Sequence, residues 1–177
     1  MNYSNIIETD IANGKGVRVS LFVSGCNFHC VNCFNKEAQD FNYGKPYTQE
    51  TEEQILSYLS KPYIAGLSLL GGDPLWQDYE GLYQLKQLCK KVHKMNKSIW
   101  IWSGFTWEEI FPKVSIDNLN GHRIMQQMLI EECDVWVDGK YVDSLKDLTL
   151  KWRGSSNQRI IDVKQSLKLN KVAPYNS

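Results

Sequence analysis

Hydrophobic residues follow two different spacings along this chain of 177 residues. Short apolar runs, typical of buried strands, occur at 17–23, 64–70, 98–102 and 135–137, and a fifth candidate spans 160–163. Apolar residues at helical spacing predict helices over 50–59, 79–95 and 123–132, the last one after a loop around 118–121, and a shorter helix after Thr106. This alternation predicts an α/β fold with a mostly parallel sheet and crossover helices.

Each of the first four predicted strands is followed by a polar loop that contains glycine. These loops begin at Ser24, Gly71, Ser103 and Asp138. In parallel sheets, ligands bind where the strands end at their carboxyl side, because the connecting loops meet at that edge. We therefore expect the four loops to face one pocket.

Composition limits the classes of protein to which the chain can belong. It has 20 Lys and Arg residues and 20 Asp and Glu residues, whereas a nucleic-acid-binding surface needs a basic excess. No run approaches the roughly 20 apolar residues that span a bilayer, and the first residues lack the pattern of a signal peptide. The length favours a single domain over 1–177. We expect no nucleic-acid or membrane partner.

The most informative motif is a group of three cysteines, Cys26, Cys30 and Cys33, after the first strand. Three thiolates can bind a cubane iron–sulfur cluster through three of its irons, whereas a simple electron-transfer cluster uses four cysteines. The fourth iron is then open, as catalytic metal sites require. Two alternatives are a zinc site that recruits His29 or Cys89 as a fourth ligand, and three unconnected thiols. The density and spacing of the cysteines favour the cluster.

The total number of cysteines also bears on location. Five cysteines, three of them clustered, argue against a secreted disulfide scaffold, so we expect a protein of the reducing cytoplasm. Cys89 and Cys133, the two outside the cluster, are expected to be small buried residues on helix faces.

The spacing of three and then two residues between the cysteines resembles the signature of radical S-adenosylmethionine enzymes. The resemblance implies a partial (β/α) barrel with helices outside and an open mouth, a [4Fe-4S] cluster, and S-adenosylmethionine bound to the open iron. It also implies reductive cleavage of this cofactor to a 5′-deoxyadenosyl radical. Many such enzymes have an aromatic residue just before the third cysteine. Here Asn32 occupies that place and Phe34 follows Cys33, so we expect both beside the cofactor.

Further segments narrow the resemblance to one group of activating proteins. These segments occur in the same order as in that group, at 13–18, 21–26, 71–75, 137–140 and 152–158. They are similar to the activating proteins of anaerobic (class III) ribonucleoside-triphosphate reductase, from the start of the chain to about Arg159, and 159–177 is an unassigned extension. The resemblance implies that the radical abstracts hydrogen from a glycine of the large reductase subunit. A flavodoxin-like protein is the expected one-electron donor.

Two other functions remain open. The chain could be a radical enzyme that acts on a small molecule or on another glycyl-radical partner, such as a formate lyase. It could also be a non-enzymatic iron–sulfur or zinc module that scaffolds a partner. Co-purification with a large reductase subunit would test the first, and metal analysis after oxygen-free purification would test the second.

The second and third strand-end loops supply further candidates for cofactor binding. Gly71 and Gly72 would let the backbone approach a ligand, and the resemblance implies that the carbonyls of this loop hold the methionine ammonium. Asp73 matches the acidic residue of the reductase-activating group. The alternative is a plain turn in which Pro74 starts a helix. Ser103 is expected near the ribose or the carboxylate, with a simple turn as its alternative.

The last two loops carry charge. Asp138 and Lys140 end a strand, where charged groups are costly unless they are paired or bound, so we expect them to face the cofactor or a docked substrate loop. The segment 153–158 is expected to grip a carboxylate or the main chain of a partner, and the alternative is a solvated loop. Trp76 and Trp107 are the tryptophans expected to touch a partner.

Overall fold

The computed structural model describes residues 1–113 and 120–176, and within them one seven-stranded sheet forms the frame. Its strands are β1 Asn2–Asp10, β2 Val17–Val23, β3 Lys45–Pro46, β4 Ile64–Gly71, β5 Ser98–Ser103, β6 Val135–Asp138 and β7 Arg159–Asp162. Across the sheet they follow the order β3-β1-β2-β4-β5-β6-β7. The central strands β2, β4, β5 and β6 are parallel, whereas β1, β3 and β7 are antiparallel to their neighbours. In the described residues the sheet has two edges, β3 and β7, and does not close into a barrel.

The four parallel strands confirm the strands that the apolar runs in the sequence predict. β2 has the predicted bounds, and β4, β5 and β6 each continue one residue beyond them at the carboxyl end. Their residues are buried almost without interruption. Strands that are buried on both faces read as continuous hydrophobic runs, which is why these four were recognisable.

Strands β1 and β3 were not predicted. β1 is half-buried along most of its length, and antiparallel pairing with β2, which sets Ile6 opposite Leu21, holds it in the sheet. β3 has two residues and pairs Lys45 with Tyr3. The fifth predicted strand exists as β7, but it is antiparallel to β6, and Val163 begins a helix instead.

The helices of the described residues are α1 Gln49–Leu59, α2 Tyr79–Lys94, α3 Trp107–Ile110, α4 Gly121–Glu131 and α5 Val163–Leu169. The first four begin at polar caps that accept a backbone N–H from the third helical residue: Thr48, Asp78, Thr106 and Asn120. The loop predicted around 118–121 begins outside the described residues. No helix in the described part of the chain is both long and apolar enough to cross a bilayer.

The main hydrophobic core lies between the sheet and the helices. Alternate residues of β2 point into it, and Val19, Leu21 and Val23 are fully buried in one cluster with residues of α1, α2 and α4. Each fully buried large apolar side chain contributes about 1.5–3 kcal/mol. Cys89 and Cys133 are also fully buried in this cluster, which confirms that they are small core residues. Cys89 is on α2 as expected, whereas Cys133 lies just after the end of α4 and not on a helix face.

The other face of the sheet carries a second cluster around Trp100. Trp152 and Tyr175 pack edge-on against its ring, with centroid distances of 4.9 and 5.2 Å. The guanidinium of Arg18 lies 5.6 Å from the same ring and donates a 2.7 Å hydrogen bond to the carbonyl of Leu67. Burial lowers the pKa of Arg18 to about 10, so this side chain is still charged at neutral pH.

The segment after β7 folds back on the sheet. The Asp162 N–H donates to the carbonyl of Ala173, and the Tyr175 N–H donates to that of Ile160, both at 2.9 Å. The tail therefore pairs with the outer side of β7. The region beyond Arg159, which the sequence left unassigned, supplies strand β7, helix α5 and this covering segment.

Candidate functional site

The cysteine loop begins where β2 ends and is tied to the loop after the adjacent parallel strand β4. The Gly72 N–H donates to the carbonyl of Val23 at 2.7 Å, and the Asp73 N–H donates to the carbonyl of Gly25 at 2.9 Å. The two acceptors, Val23 and Gly25, come just before Cys26 in the chain. The two hydrogen bonds fix the start of the cysteine loop against the glycine loop, and a single pocket shared by all four strand-end loops stays a prediction.

Close backbone packing requires glycine at two positions of the β4 loop. Gly71 has a φ of +111°, and a Cβ there would lie 2.5 Å from the carbonyl oxygen of Val23. A Cβ on Gly72 would lie 2.5 Å from the carbonyl oxygen of Ala38. The carbonyl of Gly71 accepts a hydrogen bond from Asn35 Nδ2 at 3.1 Å. Packing thus accounts for both glycines, and their contact with a cofactor stays a prediction.

The three cysteines differ in exposure. Cys26 is 8% exposed, whereas Cys30 and Cys33 are half-buried. Burial, followed by the nearby Asp73 carboxylate, raises the pKa of Cys26 to about 12. Burial and the neighbouring Cys33 raise the pKa of Cys30, and the Lys140 ammonium opposes this. A bound metal has the opposite effect on the pKa of a cysteine, because it deprotonates a coordinating thiol.

The donors present in this loop fit an iron–sulfur cluster. Cys30 and Cys33 lie near enough to Cys26 to raise its pKa, and iron–sulfur clusters are bound by soft thiolate ligands. Within 1–113 and 120–176, no three His, Cys, Asp or Glu side chains gather around a site for a single ion. The Ser24 hydroxyl, just before the loop, is buried with no hydrogen-bond partner in the described residues. The loop thus offers three thiols and one buried hydroxyl without a partner in the described residues, and ligation of a cluster by the three cysteines stays a prediction.

Phe28, inside the cysteine loop, is a site residue that the sequence analysis missed. Its ring packs against Trp76 and Phe105, with centroid distances of 5.6 and 4.9 Å, and the Lys140 ammonium lies 4.8 Å from its centroid. A Cβ on Gly104 would come within 2.5 Å of the same ring. These neighbours follow β4, β5 and β6, so one aromatic side chain joins the cysteine loop to the loops after three strands.

Replacement of Phe28 by alanine should lower the free energy of unfolding by about 2 kcal/mol, because a half-buried aromatic ring loses its contacts. It should also speed the loss of iron to a chelator, because the cysteine loop loses its anchor. Urea unfolding and chelator kinetics measure the two effects. Phe34→Ala is the matched control, because Phe34 is 98% exposed in the same loop and should change stability by no more than about 0.5 kcal/mol. Equal effects of both substitutions would contradict the anchoring role.

Asp73 connects the loops after β4 and β5. Its carboxylate is 1% exposed and accepts hydrogen bonds from Leu75 N at 2.8 Å, Gly104 N at 2.7 Å and Ser103 Oγ at 2.9 Å. Burial raises the pKa of Asp73 to about 7, against the effect of these hydrogen bonds. The structure thus brings Asp73 and Ser103 together, as partners of each other. Their contact with a cofactor stays a prediction.

Asp138 lies in an ion-pair network that the sequence analysis missed. Its carboxylate is 1% exposed and accepts hydrogen bonds from Trp107 N and Arg159 Nε, both at 2.9 Å. Arg159 also donates to Glu108 at 2.7 Å. The hydrogen bonds to Asp138, followed by those to Glu108, raise the pKa of Arg159. The network joins the end of β6 to the start of α3 and of β7.

Beside this network is an open cavity of about 560 Å³, within the range of small-molecule sites. Its wall includes residues from the ends of three strands: Gly104, Thr106, Asp138, Lys140, Asn157 and Arg159. The cavity therefore brings together two of the residues predicted from sequence, Asp138 and Lys140. Among the charged residues of its wall, Arg159 pairs with Asp138 and Glu108, whereas Lys140 takes part in none of the ion pairs found in the described residues.

The structure places other predicted residues away from this cavity. Asn32 has a φ of +54° and donates a 2.9 Å hydrogen bond to Asp143, and Phe34 extends into solvent. Neither lines the cavity, so their contact with a cofactor stays a prediction. Trp107 is 5% exposed and stacks on Phe111, so the expectation that it lies at a partner surface is wrong. Trp76 is half-buried against Phe28.

Comparisons with known proteins agree with this geometry. Residues 12–161 match the model of a family described as "4Fe-4S single cluster domain". The chain is 40% identical to the anaerobic ribonucleoside-triphosphate reductase-activating protein of Escherichia coli (strain K12), over 89% of this chain and 96% of that protein. The chain belongs to this family of activating proteins. Members with the same name from Enterobacteria phage T4 and Vibrio cholerae are 38% and 39% identical, over 93% and 97% of their lengths.

Membership of the activating-protein family confirms the resemblance found in the sequence motifs. The matched range of the single-cluster model contains the cysteine loop, the glycine loop, the aromatic contacts of Phe28 and the cavity. It ends at residue 161, within β7. Helix α5 and the tail that follows it lie beyond that range.

Proposed function

We propose that this chain activates an anaerobic ribonucleoside-triphosphate reductase by producing a glycyl radical on its large subunit. The names of relatives at about 40% identity support the partner, and the match to a single-cluster 4Fe-4S family supports the cofactor. The observation that carries the proposal is the group of three cysteines after β2, near Lys140: this lysine lines the open cavity at the carboxyl edge of the parallel strands and opposes the rise in the pKa of Cys30.

Cys26, Cys30 and Cys33 would hold a [4Fe-4S] cluster and leave its fourth iron to S-adenosylmethionine. When bound, the cluster supplies one electron to the sulfonium, so that the C5′–S bond breaks into methionine and a 5′-deoxyadenosyl radical that takes a hydrogen atom from a glycine Cα. The protein must bind and orient the cofactor and keep water away. Phe28 and its aromatic neighbours form an apolar cluster at the cysteine loop, and Lys140 provides a positive charge among the residues that line the cavity.

The remaining cofactor contacts are proposed from the family resemblance. They are Asn32, Phe34, Gly71, Gly72, Asp73, Ser103 and Asp138. We further propose that the open sheet is a partial (β/α) barrel of the radical S-adenosylmethionine type, that 1–177 is one domain, and that the protein works in the cytoplasm with a flavodoxin-like electron donor. A sheet with two edges leaves room for a loop of the reductase to enter.

The decisive experiment combines protein reconstituted with iron and sulfide, a reductant, S-adenosylmethionine and the large reductase subunit without air. An electron-spin signal from a glycyl radical, together with 5′-deoxyadenosine, is the expected result. Omission of S-adenosylmethionine, and replacement of the target glycine of the subunit by alanine, are the controls. Formation of 5′-deoxyadenosine without the radical would point to another substrate, and protein that binds zinc without iron would refute the enzyme.

A further inference from the structure

Side chains of the segment 152–158 bind the loop that follows β6. Gln158 Oε1 accepts hydrogen bonds from Gly154 N at 2.9 Å and Ser155 N at 3.2 Å, and Gln158 Nε2 donates to the carbonyl of Gly139 at 2.9 Å. Both ends of this amide group are therefore used. Gln158 orders its own loop and ties it to the end of β6.

Two further side chains hold the residues that come next. Asn157 Nδ2 donates to the carbonyl of Lys140 at 2.8 Å, and the hydroxyl of the fully buried Ser155 accepts from Val142 N at 3.2 Å. Gly139 itself has a φ of +95°, a conformation that residues with a Cβ adopt only under strain. The backbone from 139 to 142 is thus fixed from behind by side chains of the segment 152–158.

This arrangement sets the position of Lys140. Lys140 is one of the residues that line the cavity, and its ammonium lies 4.8 Å from the ring centroid of Phe28 in the cysteine loop. The ion pairs found in the described residues do not include Lys140. A lysine side chain loses conformational entropy when it binds a ligand. A fixed main chain lowers this entropy cost, because the side chain starts from one backbone position.

We propose that Gln158 and Asn157 are positioning residues that set Lys140 to bind the carboxylate of S-adenosylmethionine in the cavity. This inference rests on the proposed function and gives a role to the segment 153–158, which was expected to grip a carboxylate or the main chain of a partner. The amide oxygen of Gln158 already accepts two hydrogen bonds, and one of its two N–H groups donates to Gly139, so most of its hydrogen-bonding capacity is used within the protein. Asn157 likewise donates to the main chain of its own protein.

Gln158→Ala and Asn157→Ala test the proposal in protein that carries its reconstituted cluster. The dissociation constant of S-adenosylmethionine, measured by calorimetry without reductant, and its KM for 5′-deoxyadenosine formation without the reductase should rise about tenfold, as expected when one hydrogen bond that positions a charge is lost. The kcat of cleavage should stay within about twofold, because no group that touches the reacting atoms has changed. Gln165→Ala on α5 is the matched control, since this glutamine is exposed and is not among the residues that line the cavity.

A second variant separates the tie to Gly139 from general damage to the loop. Gln158→Glu keeps the shape and the two accepted hydrogen bonds but cannot donate to the Gly139 carbonyl, so it should raise the KM as Gln158→Ala does. Asn157 is exposed, so Asn157→Ala decides the question if variants of Gln158 fail to fold.

The outcomes distinguish this inference from the proposed function. Unchanged dissociation constants with weaker activation of the reductase would overturn the positioning role and assign the segment to docking. A wild-type protein that binds S-adenosylmethionine but produces no glycyl radical would refute the proposed function, while the comparison of dissociation constants would still decide the inference. A wild-type protein that does not bind the cofactor would overturn both.

Discussion

Replacement of any one of Cys26, Cys30 or Cys33 by alanine should abolish formation of the glycyl radical. Loss of residues that merely support a metal ligand costs about 10–100-fold, so loss of one of only three ligands should exceed about 100-fold. Iron and sulfide analysis after anaerobic reconstitution, the absorbance of the cluster and the yield of 5′-deoxyadenosine measure the effect. All three readouts should fall together, because the cluster would no longer be held.

Cys89→Ala provides the matched control, because Cys89 is a fully buried thiol of the core on α2. It should lower the free energy of unfolding by about 1 kcal/mol and leave the iron content and the radical yield unchanged. Full activity in any one of the three loop variants would show that the corresponding cysteine is not a ligand. A requirement for Cys89 would revive a four-ligand site, either zinc or a closed cluster.

Asp73→Ala should destabilise the fold by about 3 kcal/mol, because the backbone N–H groups of Leu75 and Gly104 would lose their acceptor in a buried place. The change should also weaken cofactor binding, since Asp73 holds the loops after β4 and β5 together. Urea unfolding gives the stability. Asp78→Ala is the matched control: Asp78 is exposed, accepts one backbone N–H as the cap of α2, and should cost about 1 kcal/mol. Equal losses in the two variants would argue against the linking role of Asp73.

The effect of Asp73 on stability should depend on pH. In the folded protein its pKa is about 7, whereas the ordinary value is 3.8. The folded state therefore retains this proton while the unfolded chain has lost it, so the contribution of Asp73 is complete below about pH 4 and declines as the pH rises to about 7. The difference in free energy of unfolding between the wild type and Asp73→Ala should thus be larger near about pH 5 than near about pH 8. A difference that grows with pH would contradict the raised pKa.

Local patterns in the sequence were sufficient for the parallel strands and for most of the helices. β2 was found with its predicted bounds because a strand buried on both faces must be apolar throughout. β1 was missed because its stability comes from pairing with β2, and its half-buried residues show no such run. The helix α5 was missed because Val163 directly follows the four residues of β7 and was read as their continuation.

The candidate site was predictable only where its signal is local. The cysteine spacing and the glycine pair are short motifs, so they could be recognised without the fold. The pairing of Asp138 with Arg159 joins residues that are 21 positions apart, and that of Arg159 with Glu108 joins residues 51 apart. Phe28 carried no signal beyond being aromatic, because its neighbours lie in three separate loops. Contacts of this range depend on the topology, which the periodicity of one chain does not specify.

The two edge strands of the sheet, β3 and β7, are protected from pairing with a further strand in different ways. At one edge, the two-residue strand β3 ends in Pro46, which has no amide hydrogen to offer to a further strand. At the other edge, the C-terminal segment covers β7, because the backbone groups of Ala173 and Tyr175 form hydrogen bonds with the outer side of that strand. A shortened version that stops near residue 161 would leave those groups bare, and bare strand rims recruit other molecules into aggregates. Fusion partners and purification tags are therefore better attached at the opposite terminus.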